Sequence, residues 1–389
     1  MQSDLIVVGA GPAGLALALS LTGVGLQIVV VETLSEEVLT DPPYDGRDIA
    51  LTHGSKRILT DLGIWKSLPE EEIFPIHDAK VLDGNSSYSL NFNRQEARVD
   101  ALGFLVSNHL IRRTLYEAVS ESGETLLRSG QTVTSVDPSP ESISVTLSNG
   151  ETLEASLLIA ADSRFSSVRR RVGIPARTRD FGRAAVVCRM SHTEHNKGVA
   201  SECFQYGQTV AVLPLTNNTS SIVITIRSER AQKIAEMTED LFEQWVTTRL
   251  DGKFGKMKLT TKRFLYPLVA VLADRFSGSR TALVGDAAVG MHPVTAHGYN
   301  LGLSGQHLLA RAVESAFGRG EDIGAENLLR KYSAQHRRVV LPMYYGTNTL
   351  VGLYTSEDTP TKILRKVVLH AANHLQPMRK IVINRLVGR

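Results

Sequence analysis

The sequence predicts an α/β protein that carries a second, mixed β-sheet region, and three observations support this class. The apolar run Leu5–Val8 is followed by a glycine-rich turn and a helical run, which is the order of a strand–turn–helix unit. The apolar runs Leu157–Ala161 and Thr281–Val284 each lead towards an aspartate and are typical of buried parallel strands. Between them, Ala184–Ile226 is rich in β-branched residues and polar turns, which favours antiparallel pairing.

The composition is that of an ordinary globular chain. Its 389 residues suffice for two or three domains, and 42% hydrophobic with 21% charged residues excludes a disordered or fibrous protein. A net charge of +3 is too balanced for a dedicated nucleic-acid binder, so no nucleic-acid partner is expected. Cys188 and Cys203 are too few for a disulfide scaffold, and we expect both to be buried. No apolar run of about 18 residues and no basic leader occurs, which favours a cytoplasmic protein without a spanning helix.

The segment Gly9–Gly14 has the pattern G-x-G-x-x-G between a predicted strand and a predicted helix. Gly9 permits the tight turn, Gly11 lets the backbone approach a pyrophosphate, and Gly14 lets the helix pack closely on the strand. The first turn of the helix offers free N–H groups and partial positive charge to phosphates.

The second strand, Gln27–Val31, ends in Glu32, near the offset of about 20 residues at which an acid binds a ribose diol. A carboxylate there repels a 2′-phosphate. The agreement of strand, turn, helix and acid predicts a dinucleotide site, although the motif alone does not separate FAD from NAD. The residues expected at its pyrophosphate are Gly9, Gly11, Pro12, Ala13 and Gly14.

The elements that follow are less sharply marked. Arg47 lies in a loop before a helix that ends near Gly63, and from spacing alone a solvated loop charge is the stronger interpretation. The remaining expectations, in chain order, are irregular or strand-like structure over 76–100, a helix over Asn108–Val119 that carries Arg112 and Arg113, strands over Thr132–Val136 and Ser142–Leu147, a hairpin of Val210–Leu215 with Ser221–Ile226, and a helix over Ala231–Leu250.

Two further segments carry polar residues at the ends of predicted parallel strands. Asp162 begins a polar run to Arg169, and Asp286 precedes the run Gly298–Leu303, with glycines at 298 and 302, that opens a long helix. The carboxyl ends of parallel strands form the crevice in which such folds bind ligands.

Taken in order, these three motifs resemble those of the class A flavoprotein aromatic hydroxylases, the group of para-hydroxybenzoate hydroxylase. That family's second motif is D-G-x-x-S-x-x-R, with Ser163 here in place of the glycine. Its third motif is G-D-A-A-H, then P, then G-Q-G-x-N, with Val289 in place of the histidine and His297 in place of the glutamine. The matching residues are Asp162, Ser166, Arg169, Gly285, Asp286, Ala287, Ala288, Pro293, Gly298 and Asn300.

Within that group the chain is most similar to the ubiquinone-biosynthesis hydroxylases. The pair His292–Pro293, the segment Arg47–Thr52 and the C-terminal region carry this likeness, which spans the whole chain. The resemblance implies a Rossmann-like FAD-binding fold with an inserted mixed β-sheet substrate domain and C-terminal helices. The family lacks a second nucleotide-binding fold for a nicotinamide, and the sequence contains no second G-x-G-x-x-G.

The resemblance also implies roles for single residues. The ADP half of FAD would contact the glycine turn and Glu32, Arg47 would contact the pyrophosphate, and Asp286 would bind the ribityl chain. The backbone of Gly298, Tyr299, Asn300 and Leu301 would face the flavin edge. Two more residues, Arg112 and Asp162, are expected at the cofactor.

The implied reaction is ring hydroxylation of a polyprenylated ubiquinone precursor, a phenol or quinol, through a flavin C4a-hydroperoxide. It consumes O2 and needs NAD(P)H or another electron donor. His292, Pro293 and His297 are the candidate catalytic residues on the flavin-edge loop. A histidine that packs beside the loop without catalysing is the alternative at both histidine positions.

The resemblance divides the chain into a discontinuous FAD domain (1–75, 100–180 and 270–340), a substrate domain (76–99 and 181–269) and a helical tail (341–389). The tail carries seven lysines and arginines against two acids, interleaved with apolar residues. This pattern is typical of basic amphipathic helices at the inner face of an anionic membrane, or of a partner-binding surface in a quinone-biosynthesis complex. A helix that packs on the FAD domain remains the alternative.

Other functions stay open from the sequence. They are hydroxylation of a soluble phenol or another aromatic compound, reduction of a prenyl chain on the same fold, and a non-catalytic FAD-holding member of a quinone-biosynthesis complex. The departures at Ser163, Val289 and His297 favour the last of these.

Overall fold

The computed structural model describes residues 2–83, 89–205, 207–292 and 297–355. The strands are β1 Gln2–Val8, β2 Ile28–Val31, β3 Asp48–Leu51, β4 Phe74–Ile76, β5 Asp78–Asp83, β6 Ser89–Asn93, β7 Gly103–Ser107, β8 Thr125–Arg128, β9 Val133–Pro138, β10 Ile143–Leu147, β11 Thr152–Ala160, β12 Ala176–His192, β13 Val199–Gln205, β14 Gln208–Pro214, β15 Thr219–Arg227, β16 Met257–Leu259, β17 Phe264–Ala273, β18 Ser277–Gly278, β19 Thr281–Leu283 and β20 Val289–Gly290. The helices are α1 Pro12–Ser20, α2 Glu36–Thr40, α3 His53–Asp61, α4 Ile64–Ser67, α5 Arg94–Ala97, α6 Asn108–Ser122, α7 Ser167–Arg171, α8 Ser228–Ala235, α9 Glu239–Arg249, α10 His297–Phe317 and α11 Glu326–Thr355.

The first sheet has the order β18-β19-β11-β1-β2-β8, with β10 and β9 added beside β11. Strand β1 is parallel to both neighbours, so that Leu5 lies opposite Ile28 on one side and Leu157 on the other. These central strands are apolar along their length because helices and further chain cover both faces of the sheet. The predicted strand–turn–helix unit and both later parallel strands are confirmed.

The second sheet has nine strands in the order β20-β17-β12-β15-β14-β13-β5-β6, with β16 beside β12. One face packs on α8 and α9 around a core that includes Cys188, Val210 and Phe242. The opposite face is turned towards β3, β4 and β7, which form a small third sheet. The expected mixed sheet is therefore present, and β14 ends at Pro214 as a strand of this sheet.

One predicted element was wrong. The helix expected over Ala231–Leu250 is two helices, α8 and α9, separated at 236–238. Thr238 has extended backbone angles at the N-cap of α9, and Glu239 and Asp240 follow in its first turn. These are helix-start signals, and acids there interact favourably with the helix dipole.

Several of the expected domain limits fall within continuous strands or helices. Strands β12 and β17 run across the limits at 180 and 270, and α11 runs through 341. The limits therefore stay predictions, and most of the tail, 356–389, lies outside the described residues. Among the helices that the structure describes, none is long and apolar enough to cross a membrane.

Candidate functional site

The glycine turn after β1 is fixed by packing at two of its three glycines. Gly9 has φ +113°, and a Cβ there would lie 2.5 Å from the carbonyl oxygen of Ala161. A Cβ on Gly14 would lie 2.0 Å from the carbonyl oxygen of Gly9. A Cβ on Gly11 would meet nothing within 4 Å. Gly9 and Gly14 are thus required by the protein's own backbone, whereas Gly11 borders open space.

The turn presents polar groups to that open space. Gly11 is the N-cap of α1 and supplies no side-chain cap, and Pro12 follows at the start of the helix. The backbone N–H groups of a helix start form an anion-binding site. Glu32, at the end of β2, accepts hydrogen bonds from the N–H of Ala10 (2.6 Å) and of Leu34 (2.9 Å). A carboxylate is therefore held beside the turn, where the sequence placed it.

The third motif packs directly on the first. Gly285 has φ +58°, and a Cβ there would lie 2.9 Å from the Cβ of Ala13 in α1. A Cβ on Gly302 of α10 would lie 3.2 Å from the Cα of Gly285. Small residues at these contacts allow the starts of α1 and α10 to approach the same turn.

The first turn of α10 is also held from the side. The Oδ1 atom of Asn300 accepts hydrogen bonds from the N–H of Thr52 (3.0 Å) and the hydroxyl of Ser55 (2.7 Å), and its Nδ2 donates to the carbonyl of Ala50 (2.8 Å). Asn300 and Leu301 are buried. The side chain of Asn300 thus anchors the first turn of α10 to β3 and α3.

Asp286 follows Gly285 and forms an ion pair with Arg164. The Nη2 and Nε atoms of Arg164 donate to its Oδ2 at 2.8 and 3.2 Å. Among the described residues nothing donates to the Oδ1 of Asp286. Desolvation of the Arg47 guanidinium lowers its pKa. The hydrogen bond to Asp45 and the negative charges of Asp45 and Asp286 outweigh this effect, so the pKa of Arg47 is raised above its usual value. Arg47 and Asp286 therefore share one electrostatic neighbourhood.

The second motif links the other two. The Oδ2 atom of Asp162 accepts a hydrogen bond from the N–H of Ser167 (2.7 Å) at the start of α7, and its Oδ1 is buried with no partner in the described part of the chain. Arg169 is buried and donates to the carbonyls of Arg164 (3.1 Å) and Ala287 (2.9 Å). Arg169 therefore joins the second and third motifs through backbone oxygens.

The departures from the family pattern are accommodated locally. Ser163 needs no left-handed backbone angle, and its hydroxyl accepts a hydrogen bond from the N–H of Phe165 (3.2 Å). Val289 is buried in β20, where an apolar side chain fits the core.

The flavin-edge loop is described on both sides of 293–296. His292 is buried against the ring of Phe181, with ring centroids 4.9 Å apart. Burial, together with the charge of Arg183, lowers the pKa of His292 to about 4, so the imidazole is neutral near neutral pH. Pro293 lies outside the described residues, and His297 is the first residue of α10. The hydroxyl of Tyr299 is buried without a hydrogen-bond partner among the described residues.

Two of the expected residues make weaker connections. Arg47 is half-exposed, pairs with Asp45 at 2.6 Å and lies over the ring of Tyr266. Arg112 is half-buried on α6 and has neither a hydrogen bond nor an ion pair with the part of the chain that the structure describes. The cysteines are buried as expected, and burial raises the pKa of the Cys188 thiol to about 12 and that of Cys203 to about 11.

Sequence reasoning missed an ion pair at the border of the site. The carboxylate of Asp48, on β3, has no exposed surface and accepts from Nη2 of Arg189, on β12, at 2.7 Å. The hydroxyl of Ser107 donates to the same oxygen at 2.9 Å. The partners are 141 residues apart, so no local pattern connects them.

These features fit FAD. The glycine turn leaves space that a side chain at Gly11 would fill, a helix start faces it, and Glu32 is bonded to the turn. The buried Oδ1 of Asp162 and the Oδ1 of Asp286, which have no hydrogen-bond donor among the described residues, are acceptors of the kind that the hydroxyl groups of ribose and ribitol require.

The comparisons with known proteins agree with this geometry. The family described as the FAD binding domain matches residues 2–344. The chain is 47% identical to the ubiquinone hydroxylase UbiM of Neisseria meningitidis, over 100% of this chain and 85% of that protein. It is 33% identical to the ubiquinone hydroxylase UbiL of Rhodospirillum rubrum, over 99% and 90%. It is 27% identical to the human ubiquinone biosynthesis monooxygenase COQ6, over 97% and 91%.

A solved structure shows the same fold at low identity. The p-nitrophenol 4-monooxygenase PnpA of Pseudomonas putida superposes with a TM-score of 0.79 at 20% identity, over 100% of this chain and 99% of that one. The expected Rossmann-like FAD-binding fold is confirmed. The chain therefore belongs to the FAD binding domain family, in the branch of the ubiquinone hydroxylases, and is an FAD-dependent monooxygenase.

Proposed function

We propose that this protein hydroxylates the aromatic ring of a polyprenylated ubiquinone precursor, with O2 as co-substrate and NAD(P)H or another donor as reductant. The observation that carries the proposal is the full-length likeness to a ubiquinone hydroxylase at 47% identity. The meeting of all three motifs at one crevice supports it. Bound FAD supplies the oxygen-activating redox chemistry, and the residues of the chain bind and orient it.

Each motif has a distinct part in holding the cofactor. The N–H groups at the start of α1 bind the pyrophosphate, with Arg47 nearby, and Glu32 binds the adenosine ribose. Asp286 accepts hydrogen bonds from the ribityl chain. The start of α10, from Gly298 to Leu301, directs its positive dipole at the flavin edge and stabilises negative charge on the reduced ring.

His292 and His297, on either side of 293–296, border the reaction space. His292 is neutral and packed on Phe181, which supports a role in excluding water more than one in proton transfer near neutral pH. His297 and Pro293 remain candidate residues of the flavin edge.

The basic tail brings the enzyme to its substrate. A polyprenylated phenol resides in the bilayer, and the lysines and arginines of 341–389 attract the enzyme to the anionic inner face of the membrane. A quinone-biosynthesis complex that binds the same tail is the other partner that this charge fits.

The test is deletion of the gene in its own host, grown aerobically, followed by mass spectrometry of the lipid quinones. The proposal expects loss of mature quinone and accumulation of a prenylated precursor that lacks ring oxygen. Growth under ¹⁸O2 after complementation should place the label on the ring. An unchanged quinone profile, or a hydroxyl without the label, would contradict the proposal, and the first result would favour a soluble aromatic substrate.

A further inference from the structure

The face of the second sheet that is turned towards the FAD-binding region can be read from its register. Opposite residues in a sheet point to the same side, so β13, β14, β15 and β12 place in one row the side chains of Glu202, Ala211, Val223 and Val187. Phe264 of β17 ends this row. A virtual Cβ on Gly46 would lie 2.4 Å from its ring, so the row ends against the loop before β3.

Both ends of this face are closed by contacts. At one end Arg189 binds Asp48, as described above. At the other end Phe204 packs in an apolar cluster with Ile76 and Leu105 of the small third sheet. Val81 and Ala200, the other neighbours of Glu202 on this face, pack against the same cluster, so Glu202 lies at the border of this seam and the valines of the row lead away from it.

The Glu202 part of the row is connected to the flavin-edge loop. Thr209 hydrogen-bonds the carboxylate of Glu202 and lies two residues after Gly207. The carbonyl of Gly207 accepts a hydrogen bond from Arg183 (2.8 Å), and the charge of Arg183 acts on His292. The end of the hairpin of β13 and β14 is thus hydrogen-bonded to Arg183, whose charge reaches His292.

Glu202 is unusual in its surroundings. It is the one carboxylate on this face across the paired segments of β12 to β15, and its neighbours in the row are valines and an alanine. Among the described residues it has no ion pair. Burial raises the pKa of Glu202 to about 7, against the lowering effect of the Thr209 hydrogen bond. A carboxylate with no cation beside it is suited to a neutral donor, since a hydroxyl satisfies it without adding charge.

We propose that Glu202 is the hydrogen-bond and proton acceptor for the ring hydroxyl of the phenolic substrate. This role rests on the proposed function, since it requires an aromatic ring that carries a hydroxyl. The valines of the row supply the apolar surface on which that ring lies.

The proton transfer is balanced within the pair. The O–H bond of the phenol breaks, an O–H bond to the Glu202 carboxylate forms, and the electron pair stays on the phenolate oxygen. Delocalisation of that pair enriches the ortho and para carbons, which makes them better nucleophiles towards an electrophilic oxygen. A base with a pKa near the working pH is the most effective for such a step.

Binding to the oxidised holoenzyme tests the assignment without turnover. The probes are 4-hexylphenol and 4-hexylanisole, which differ in the hydroxyl donor, and perturbation of the flavin absorbance reports binding. At a pH well above 7 we expect the phenol to bind about 10- to 100-fold more tightly than the ether, because one hydrogen bond to a charged acceptor is lost. In Glu202→Gln this preference should fall to about threefold or less.

Two further variants separate a chemical role from a structural one. Glu229→Gln, on the exposed surface of α8, should keep the full preference. Thr209→Val removes the hydrogen bond that lowers the pKa of Glu202, so the preference should appear at a higher pH than in the wild type. A merely structural glutamate would not produce this displacement.

The outcomes are distinguishable. Equal binding of both probes to the wild type, or an undiminished preference in Glu202→Gln, overturns the role of Glu202 and leaves the proposed function standing. Failure of both probes to bind at any pH contradicts a phenolic substrate and overturns both proposals.

Discussion

The buried pair of Asp48 and Arg189 gives the sharpest prediction for stability. Asp48→Ala removes a carboxylate with no exposed surface that accepts from Arg189 at 2.7 and 3.3 Å and from Ser107 at 2.9 Å. Among the carboxylates that the structure describes, Arg189 would keep only Glu72, at 3.7 Å on a more exposed side chain, together with its neutral contacts to Ser107 and Tyr44. Breaking a buried pair from one side typically costs 3–5 kcal/mol, so we expect a loss of about 4 kcal/mol.

The measurement is thermal unfolding of the holoenzyme by circular dichroism at fixed flavin concentration. For a chain of this length about 4 kcal/mol corresponds to a fall of roughly 4–6 °C in Tm. The double variant Asp48→Ala/Arg189→Leu removes both charges. It should recover much of the loss, because no unpaired guanidinium remains.

The reasoning fails on either of two results. A loss below about 1 kcal/mol in Asp48→Ala would mean that water or Glu72 compensates Arg189 fully. A double-variant loss equal to the sum of the losses in Asp48→Ala and Arg189→Leu would mean that the two side chains stabilise the seam independently and not as a pair.

Three further predictions concern the cofactor turn, Glu202 and the tail. Gly11→Ala should weaken FAD binding and leave the melting temperature of the apoprotein unchanged. Gly14→Ala should lower both the FAD affinity and the apoprotein melting temperature, because a Cβ at Gly14, unlike one at Gly11, collides with the backbone. Equal melting temperatures of the two apoproteins would contradict this. Glu202→Gln should be more stable than the wild type, because the pKa of Glu202 is raised in the folded state and not in the unfolded state, so that ionisation destabilises the wild type. The difference in the free energy of unfolding should grow above pH 4.5 and level off above about pH 7, at no more than about 3 kcal/mol. Urea unfolding at several pH values measures this, and a constant difference would refute it. A chain ending at Thr355 should keep its flavin but no longer float with anionic vesicles, and undiminished flotation would exclude the tail as the anchor.

The first strand, the glycine turn and Glu32 could be predicted from sequence because each signal is local. Gly9 and Gly14 are glycines for reasons that hold within a few residues and one neighbouring strand. The break before Thr238 also had a local signal, the threonine followed by two acids, which the apolar periodicity of the region concealed.

The rest required the fold. Asp48 and Arg189 are connected only because β3 and β12 belong to different sheets that meet face to face. Glu202 is the one charged residue of β13, and a lone carboxylate in a strand predicts a solvent-facing side chain when a sheet has one exposed face. Here that face is turned towards the rest of the protein, and Glu202 is partly buried there.

Strand β20 is only two residues long, but it determines how the two halves of the reaction space are aligned. It pairs Gly290 with Val271 of β17, and Gly290 lies two residues before His292 and four after Asp286. The segment that follows Asp286 is therefore hydrogen-bonded into the second sheet, and a rotation of this segment relative to the sheet would break the pairing of β20 with β17. A slip of two residues in β17 would displace the loop by about 7 Å along the sheet, roughly the width of a substituted ring. We therefore expect a change in the register of β17 and β20 to alter which carbon of the proposed substrate ring is hydroxylated.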